Sequence, residues 1–202
     1  MPRAPRPTDV RPYFDKVQLW CRRPLPRAEL EHLHRLCGPG GLFAANDTAR
    51  FNARFLQRVE LRQPSAEALR FISKLHDARI NRMEVACDLI FPDCVELDDA
   101  FEFLHHHMVR RWHGKRQKIR RFEDGARYDA GRWAPNGIVM YREPFSRATG
   151  EADCLHLEWR LNGLDAVRGA GIKRPQELLN FNHRAFWEPR LDDRFHESGF
   201  SW

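Results

Sequence analysis

The chain has 202 residues, of which 42% are hydrophobic, enough for one buried core and too many for an intrinsically disordered protein. Its 34 basic and 28 acidic residues give a formal charge of +6, which favours an anionic partner without establishing one. No apolar run comes near the roughly 18 residues of a membrane-spanning helix, so we expect no membrane partner.

The cysteines and the N-terminal segment lead us to expect a cytoplasmic protein. The five cysteines form no Cys-x-x-Cys pair and their number is odd, which argues against a disulfide framework or a zinc knuckle and favours the reducing cytoplasm. The first dozen residues, MPRAPRPTDVRP, are basic and rich in proline, and the apolar segment of a signal peptide does not follow them. We therefore expect a flexible basic arm over 1–12 and a single α+β domain over 13–202.

The hydrophobic periodicity predicts alternating strands and helices, followed by a hairpin. In chain order, the predicted strands are 15–21, 53–63, 80–91, 137–145 and 153–163, and the predicted helices are 26–41, 65–78, 95–112 and 174–187. Ser65 is suited to cap the second helix, and residues 116–137 read as a basic stretch with a short strand or hairpin and a loop. This order favours an α+β fold with a mostly antiparallel sheet and helices on one face, with ferredoxin-like topology as the first expectation.

Two predicted strands, INRMEVACDLIF and DCLHLEWRLNG, carry ionisable side chains on their less apolar faces. The acids and the imidazole of these faces are Glu84, Asp88, His156 and Glu158, and the arginines are Arg82 and Arg160. If the strands are neighbours, the acids and the imidazole could bind Mg²⁺ or Mn²⁺, and the arginines could bind phosphate. The alternative is a solvated sheet surface with ion pairs between strands.

The segment RRWHGKRQKIRR is a candidate contact for the DNA backbone. Its basic residues are Arg110, Arg111, Lys115, Arg116, Lys118, Arg120 and Arg121. The alternative is the solvated charged end of a helix. The preceding run of histidines, 105–107, is expected at the helix surface, because adjacent helical positions point about 100° apart and chelate one ion poorly.

Three segments resemble successive strands of plasmid and phage replication-initiation factors, the rolling-circle initiators of the Rep-trans type. INRMEVACD carries the Arg-x-acid-x-x-x-Asp pattern as Arg82, Glu84 and Asp88, GIVMYREPF carries a tyrosine as Tyr141, and CLHLEWRLNG carries an acid and an arginine two residues apart. The order and spacing of the segments agree with the family over residues 50–170.

This resemblance implies an initiator-like fold and an origin-binding, sequence-specific DNA partner. It implies nicking of one DNA strand by a tyrosine, which becomes linked to the 5′-phosphate while a Mg²⁺ or Mn²⁺ ion polarises the scissile phosphate. Carried over by position, Asp88 and Glu158 are the first metal ligands, with His156 and Glu84 as further candidates.

The tyrosines depart from the family pattern, in which the nucleophile follows the Glu158 strand on a helix. Only Tyr13, Tyr128 and Tyr141 occur in the chain, and none follows Glu158. Either Tyr128 or Tyr141 is then the nucleophile, or the chain is a shortened relative that binds DNA without cutting it. Tyr128 lies in the basic stretch, where we expect it to be accessible, and strand alternation allows Tyr141 to be a packing residue.

Overall fold

The computed structural model of the chain describes residues 5–38, 40–46, 54–112, 118–129 and 136–191. Inside the helices and strands, the side chains of residues 107–112, 118, 129 and 136 are not part of this description. The helices are α1 (Arg27–Arg35), α2 (Ala66–Ser73), α3 (Cys94–Trp112), α4 (Leu164–Gly169) and α5 (His183–Leu191), together with a 3₁₀ helix, Pro175–Asn180. The strands are β1 (Asp9–Cys21), β2 (Leu42–Ala45), β3 (Gln57–Arg62), β4 (Ala78–Ile90), β5 (Lys118–Arg121), β6 (Gly125–Asp129), β7 (Asn136–Phe145) and β8 (Ala152–Asn162).

The eight strands form an antiparallel sheet in the order β2-β3-β1-β4-β8-β7-β6-β5. The α+β class with an antiparallel sheet, predicted from the sequence, is confirmed. Within the described residues, none of the helices is long and apolar enough to cross a membrane.

Several element boundaries differ from the sequence prediction. β1 begins at Asp9, so residues 9–12, expected in the flexible arm, belong to a strand. β2 and α4 are short elements that were not predicted, because four to six residues are too few to show a clear period. The single helix expected over 174–187 is two elements, since Phe181 takes an extended conformation with φ −68° and ψ 121° between them.

The first of two compact units comprises Met1–Tyr13, Ala86–Arg160 and Asn182–Trp202. Part of its interior is an aromatic cluster in which Trp187 is fully buried, packs edge-to-face on Trp159 and Phe186, and donates from Nε1 to the Ala86 carbonyl. β6 pairs with β7 so closely that a Cβ at Gly125 would lie 2.4 Å from the Met140 carbonyl oxygen.

The second unit comprises Phe14–Val85 and Leu161–Phe181. Its core side chains come from alternating positions of β1 and β3 and from one face each of α1 and α2. They are Val17, Leu19, Val59, Leu61, Leu33 and Ile72, all fully buried. The predicted N-cap is confirmed, since the Ser65 hydroxyl accepts a hydrogen bond from the Ala68 backbone N–H.

Candidate metal centre

A buried carboxylate–imidazole pair lies in the first unit, where β4 and β8 are neighbouring strands. Asp88 and His156 are each 0% exposed, and Asp88 Oδ1 accepts a hydrogen bond from His156 Nδ1 at 2.7 Å. Because side chains alternate along a strand, Glu158 lies on the same face of β8 as His156, two residues on. The structure thus brings together three residues that the sequence had proposed as metal ligands.

The second ring nitrogen of His156 lacks a hydrogen-bond partner among the described residues. Nε2 is buried and lies 3.8 Å from Glu158 Oε2, beyond hydrogen-bonding distance, while Arg160 donates from Nε to the other oxygen of Glu158. An imidazole nitrogen beside a carboxylate is a donor set that suits Mn²⁺ and related divalent ions. The bond from Nδ1 to Asp88 is the arrangement by which carboxylates orient metal-binding histidines.

Asp88, His156 and Glu158 shift one another's pKa values. Burial acts to raise the pKa of Asp88, but hydrogen bonds from His156 and Ser146 hold it below its usual value. Burial acts to lower the pKa of His156, and the Asp88 and Glu158 carboxylates outweigh it and raise that pKa. Burial also acts to raise the pKa of Glu158, but His156 and Arg160 lower it. A cation at Nε2 would therefore compete with protonation of the ring.

Two tyrosines border the pair. The Tyr13 hydroxyl donates to Asp88 Oδ1 at 3.3 Å and lies 3.4 Å from His156 Nδ1. The Tyr141 ring stacks on His156, and its hydroxyl accepts a hydrogen bond from Arg160 at 3.3 Å. Burial raises the pKa of Tyr141, and Arg160 offsets part of that rise. Tyr141 was proposed from the sequence, but Tyr13 was not, because it precedes the predicted first strand. In the structure β1 begins at Asp9 and therefore includes Tyr13.

Tyr128, the other predicted nucleophile, is not in an accessible loop, and that expectation is wrong. It lies on β6, is 0% exposed, and its hydroxyl is hydrogen-bonded to His105 Nδ1. Burial raises the pKa of the phenol, which disfavours the phenolate. The stretch that was expected to be a loop is a strand, since Tyr128 pairs with Ile138 of β7, and the Tyr128 ring packs on His105 of α3.

The histidine run follows the surface of α3. His105 is half-buried with its ring parallel to that of Phe101, and His106 is exposed and bonded to the Glu102 carbonyl at 2.7 Å. The side chain of His107 lies outside the described residues. The two described rings thus bind different partners on α3 and β6.

In the second unit, two buried acids have basic or amide partners. Glu84, a predicted ligand on β4, is 1% exposed and pairs with Arg82 and with Lys16 Nζ at 2.8 Å. Asp15 on β1 accepts a hydrogen bond from the Gln63 amide at 3.3 Å. Gln63 has a φ of 45°, a conformation that costs a non-glycine residue energy and that is frequent at functional sites.

Asp15 and Glu84 are two buried acids of the second unit, and one oxygen of each lies within 4.8 Å of the other. Oxygen ligands of this kind suit Mg²⁺ and Mn²⁺. Asp15 was not proposed from the sequence, because it opens the predicted first strand without any motif around it.

The predicted DNA-contacting residues fall into three groups. Arg82 and Arg160 are engaged with buried acids. Arg120 and Arg121 are exposed on β5 at the edge of the sheet, where Arg121 also pairs with Glu102. The others lie outside the described residues, either as whole residues or as side chains, namely Arg110, Arg111, Lys115, Arg116 and Lys118.

Comparison with known proteins gives a structural match. Neither a protein-family profile nor a curated protein matches the sequence. Among solved structures, the chain is similar to a rolling-circle replication initiator protein from Geobacillus stearothermophilus, with a TM-score of 0.50 and 13% identity. The alignment covers 85% of this chain and 80% of that one. At this identity the likeness shows a shared fold.

Proposed function

We propose that this protein is a DNA-binding replication initiator of the rolling-circle type, which nicks one strand at a plasmid or phage origin with the help of Mg²⁺ or Mn²⁺. The observation that carries the proposal is His156 Nε2, a buried nitrogen without a hydrogen-bond partner among the described residues, held beside Glu158 and next to a tyrosine. The initiator-like fold supports it.

The chain would hold the cation through His156 Nε2 and Glu158. Asp88 then differs from the sequence hypothesis in its role, because both of its oxygens are engaged by His156 and Ser146. It orients the imidazole and does not bind the ion directly. When bound, the ion would polarise the scissile phosphate.

Tyr141 is the preferred nucleophile. Its ring is fixed against His156, and its hydroxyl meets a guanidinium that can stabilise the phenolate. Attack on the scissile phosphorus forms the phosphotyrosine bond and breaks the bond to the 3′ oxygen. The phenol proton passes to water, and the 3′ oxygen takes up a proton as it leaves.

The DNA backbone would lie along the basic segment that ends in β5. Arg120 and Arg121 are its described and exposed members, and the proposal extends to Arg110, Arg111, Lys115, Arg116 and Lys118. Exposed arginines form bidentate hydrogen bonds with phosphates, and their binding releases counterions from the DNA.

The test is relaxation of a supercoiled plasmid that carries DNA from the protein's own genetic neighbourhood. We expect relaxation to require Mn²⁺ or Mg²⁺ and to be lost in Glu158→Gln. Glu67→Gln is the matched control, since Glu67 is an exposed acid in the first turn of α2. Relaxation by Glu158→Gln at the wild-type rate would contradict the assignment of the site.

The alternative is a regulatory protein that keeps the fold and binds DNA without cutting it. The burial that raises the pKa of Tyr141 favours this alternative, because it disfavours the nucleophilic phenolate. Retention of the same plasmid in a gel shift, without relaxation at any metal concentration, would establish it.

A further inference from the structure

Ser146 is a buried polar residue at the start of the turn between β7 and β8. The residue is 3% exposed, and its hydroxyl group has three hydrogen-bond partners. The hydroxyl oxygen accepts hydrogen bonds from the backbone N–H groups of Ala148 and Thr149, both at 3.1 Å. The same oxygen lies 2.6 Å from Asp88 Oδ2.

These contacts fix the direction of the hydrogen bond to Asp88. A hydroxyl has one proton and two lone pairs, and a backbone N–H can only donate. With both lone pairs of Ser146 Oγ facing N–H groups, its proton must point to Asp88 Oδ2. That oxygen is therefore an acceptor, which requires the carboxylate to be unprotonated there.

The second oxygen of Asp88, Oδ1, determines which nitrogen of His156 carries the proton. Oδ1 accepts from the Tyr13 hydroxyl at 3.3 Å and from His156 Nδ1 at 2.7 Å. A carboxylate held as an acceptor on both oxygens keeps the proton on Nδ1. The lone pair of a neutral or metal-bound ring then falls on Nε2, the nitrogen that faces Glu158.

We propose that Ser146 is a positioning residue that sets, through Asp88, both the ring orientation of His156 and the nitrogen that is free for a ligand. This inference rests on the proposed function, since the ligand at Nε2 is the divalent cation. The β7–β8 turn is then part of the metal centre, because its backbone N–H groups orient the Ser146 hydroxyl so that its proton points to Asp88.

The test compares Ser146→Ala with Ser146→Thr, which keeps the hydroxyl. Thr149→Ala is the matched turn variant, because the Thr149 hydroxyl bonds Glu151 within the same turn. Mn²⁺ binding is measured from the electron paramagnetic resonance signal of the free ion. We expect Ser146→Ala to weaken binding about 10- to 100-fold, and Ser146→Thr and Thr149→Ala to stay within about threefold of wild type.

A second measurement needs no metal and no DNA cleavage. In ¹⁵N-labelled protein with EDTA, the His156 Nδ1 proton should give a downfield resonance, present in the wild type and in Ser146→Thr and lost in Ser146→Ala. Persistence of this resonance in Ser146→Ala, with Mn²⁺ binding unchanged, would overturn the proposal and leave Ser146 as a turn residue. Because neither measurement uses nicking, a protein that binds DNA without cutting it would still be tested.

Discussion

The ring of Tyr141 stacks on the imidazole of His156, with 6.1 Å between centroids and 24° between planes. Tyr141 is the candidate nucleophile and His156 the candidate metal ligand, and both belong to the first unit. Tyr141 therefore also has a packing role. A substitution that tests its role in DNA cleavage must keep the aromatic ring.

Tyr141→Phe should keep the stacking and lose only the hydroxyl. If Tyr141 is the nucleophile, the variant should bind origin DNA as the wild type does and form no covalent protein–DNA adduct, because the attacking oxygen is absent. The measurement is adduct formation with a labelled single-stranded oligonucleotide from the nicked region, resolved by denaturing electrophoresis. Adduct formed by Tyr141→Phe but not by Tyr13→Phe would move the role to Tyr13, whose hydroxyl also meets the site.

Asp88→Asn should weaken Mn²⁺ binding by about 10- to 100-fold, the usual effect of losing a carboxylate that orients a metal-binding histidine. The amide can donate as well as accept, so it allows the proton of the ring to move to Nε2. Calorimetric titration with Mn²⁺ measures the effect. Asp93→Asn is the control, because Asp93 caps α3 at an exposed position. Equal affinities for the wild type and Asp88→Asn would remove the orienting role.

Arg120→Ala combined with Arg121→Ala should lower affinity for duplex DNA and make it less sensitive to salt. Each phosphate contact contributes about 0.9 to the slope of log affinity against log salt, so the loss of two contacts should reduce the slope by about 2. Fluorescence anisotropy at several salt concentrations gives the slope. Arg23→Ala serves as the control, since Arg23 is an exposed arginine outside the basic segment. An unchanged slope would show that β5 does not contact the backbone.

His183 should make the protein less stable in mild acid. Burial lowers its pKa to about 4, below the usual value of 6.5. As the pH falls from 6.5 towards 4, the unfolded chain takes up a proton that the folded chain does not, so the free energy of unfolding decreases. Urea unfolding at pH 7, 6, 5 and 4 should show a shallower decrease for His183→Gln than for the wild type. His34→Gln, at an exposed position of α1, should follow the wild type; a match between all three would refute the prediction.

The five thiols should react at very different rates. Cys94 is exposed at the start of α3, whereas Cys21, Cys87 and Cys154 are buried, and burial raises the pKa of Cys21 and of the half-buried Cys37 to about 11. Because the thiolate is the reactive form, a disulfide reagent at pH 8 should label one thiol rapidly and all five only after unfolding. Cys94→Ser should abolish the fast phase. Fast labelling of any thiol in that variant would contradict the prediction.

The sequence by itself determined the class of fold and the faces of the strands that carry the chemistry. A period of two residues is a local property, so INRMEVACD and CLHLEWR were enough to put Asp88, His156 and Glu158 on polar faces. The Ser65 cap was likewise readable, because the hydroxyl and the N–H that it accepts from are three residues apart.

Only the tertiary structure decided which residues meet. Strand pairing joins positions far apart in the chain, such as Asp88 and His156, and periodicity does not specify the neighbours of a strand. For the same reason the sequence left Tyr13 out of the site and placed Tyr128 in a loop, although Tyr128 lies on a strand paired with β7 and is buried. The role of Ser146 depends on three hydrogen bonds that meet at one oxygen, and the direction of its proton follows from their geometry alone.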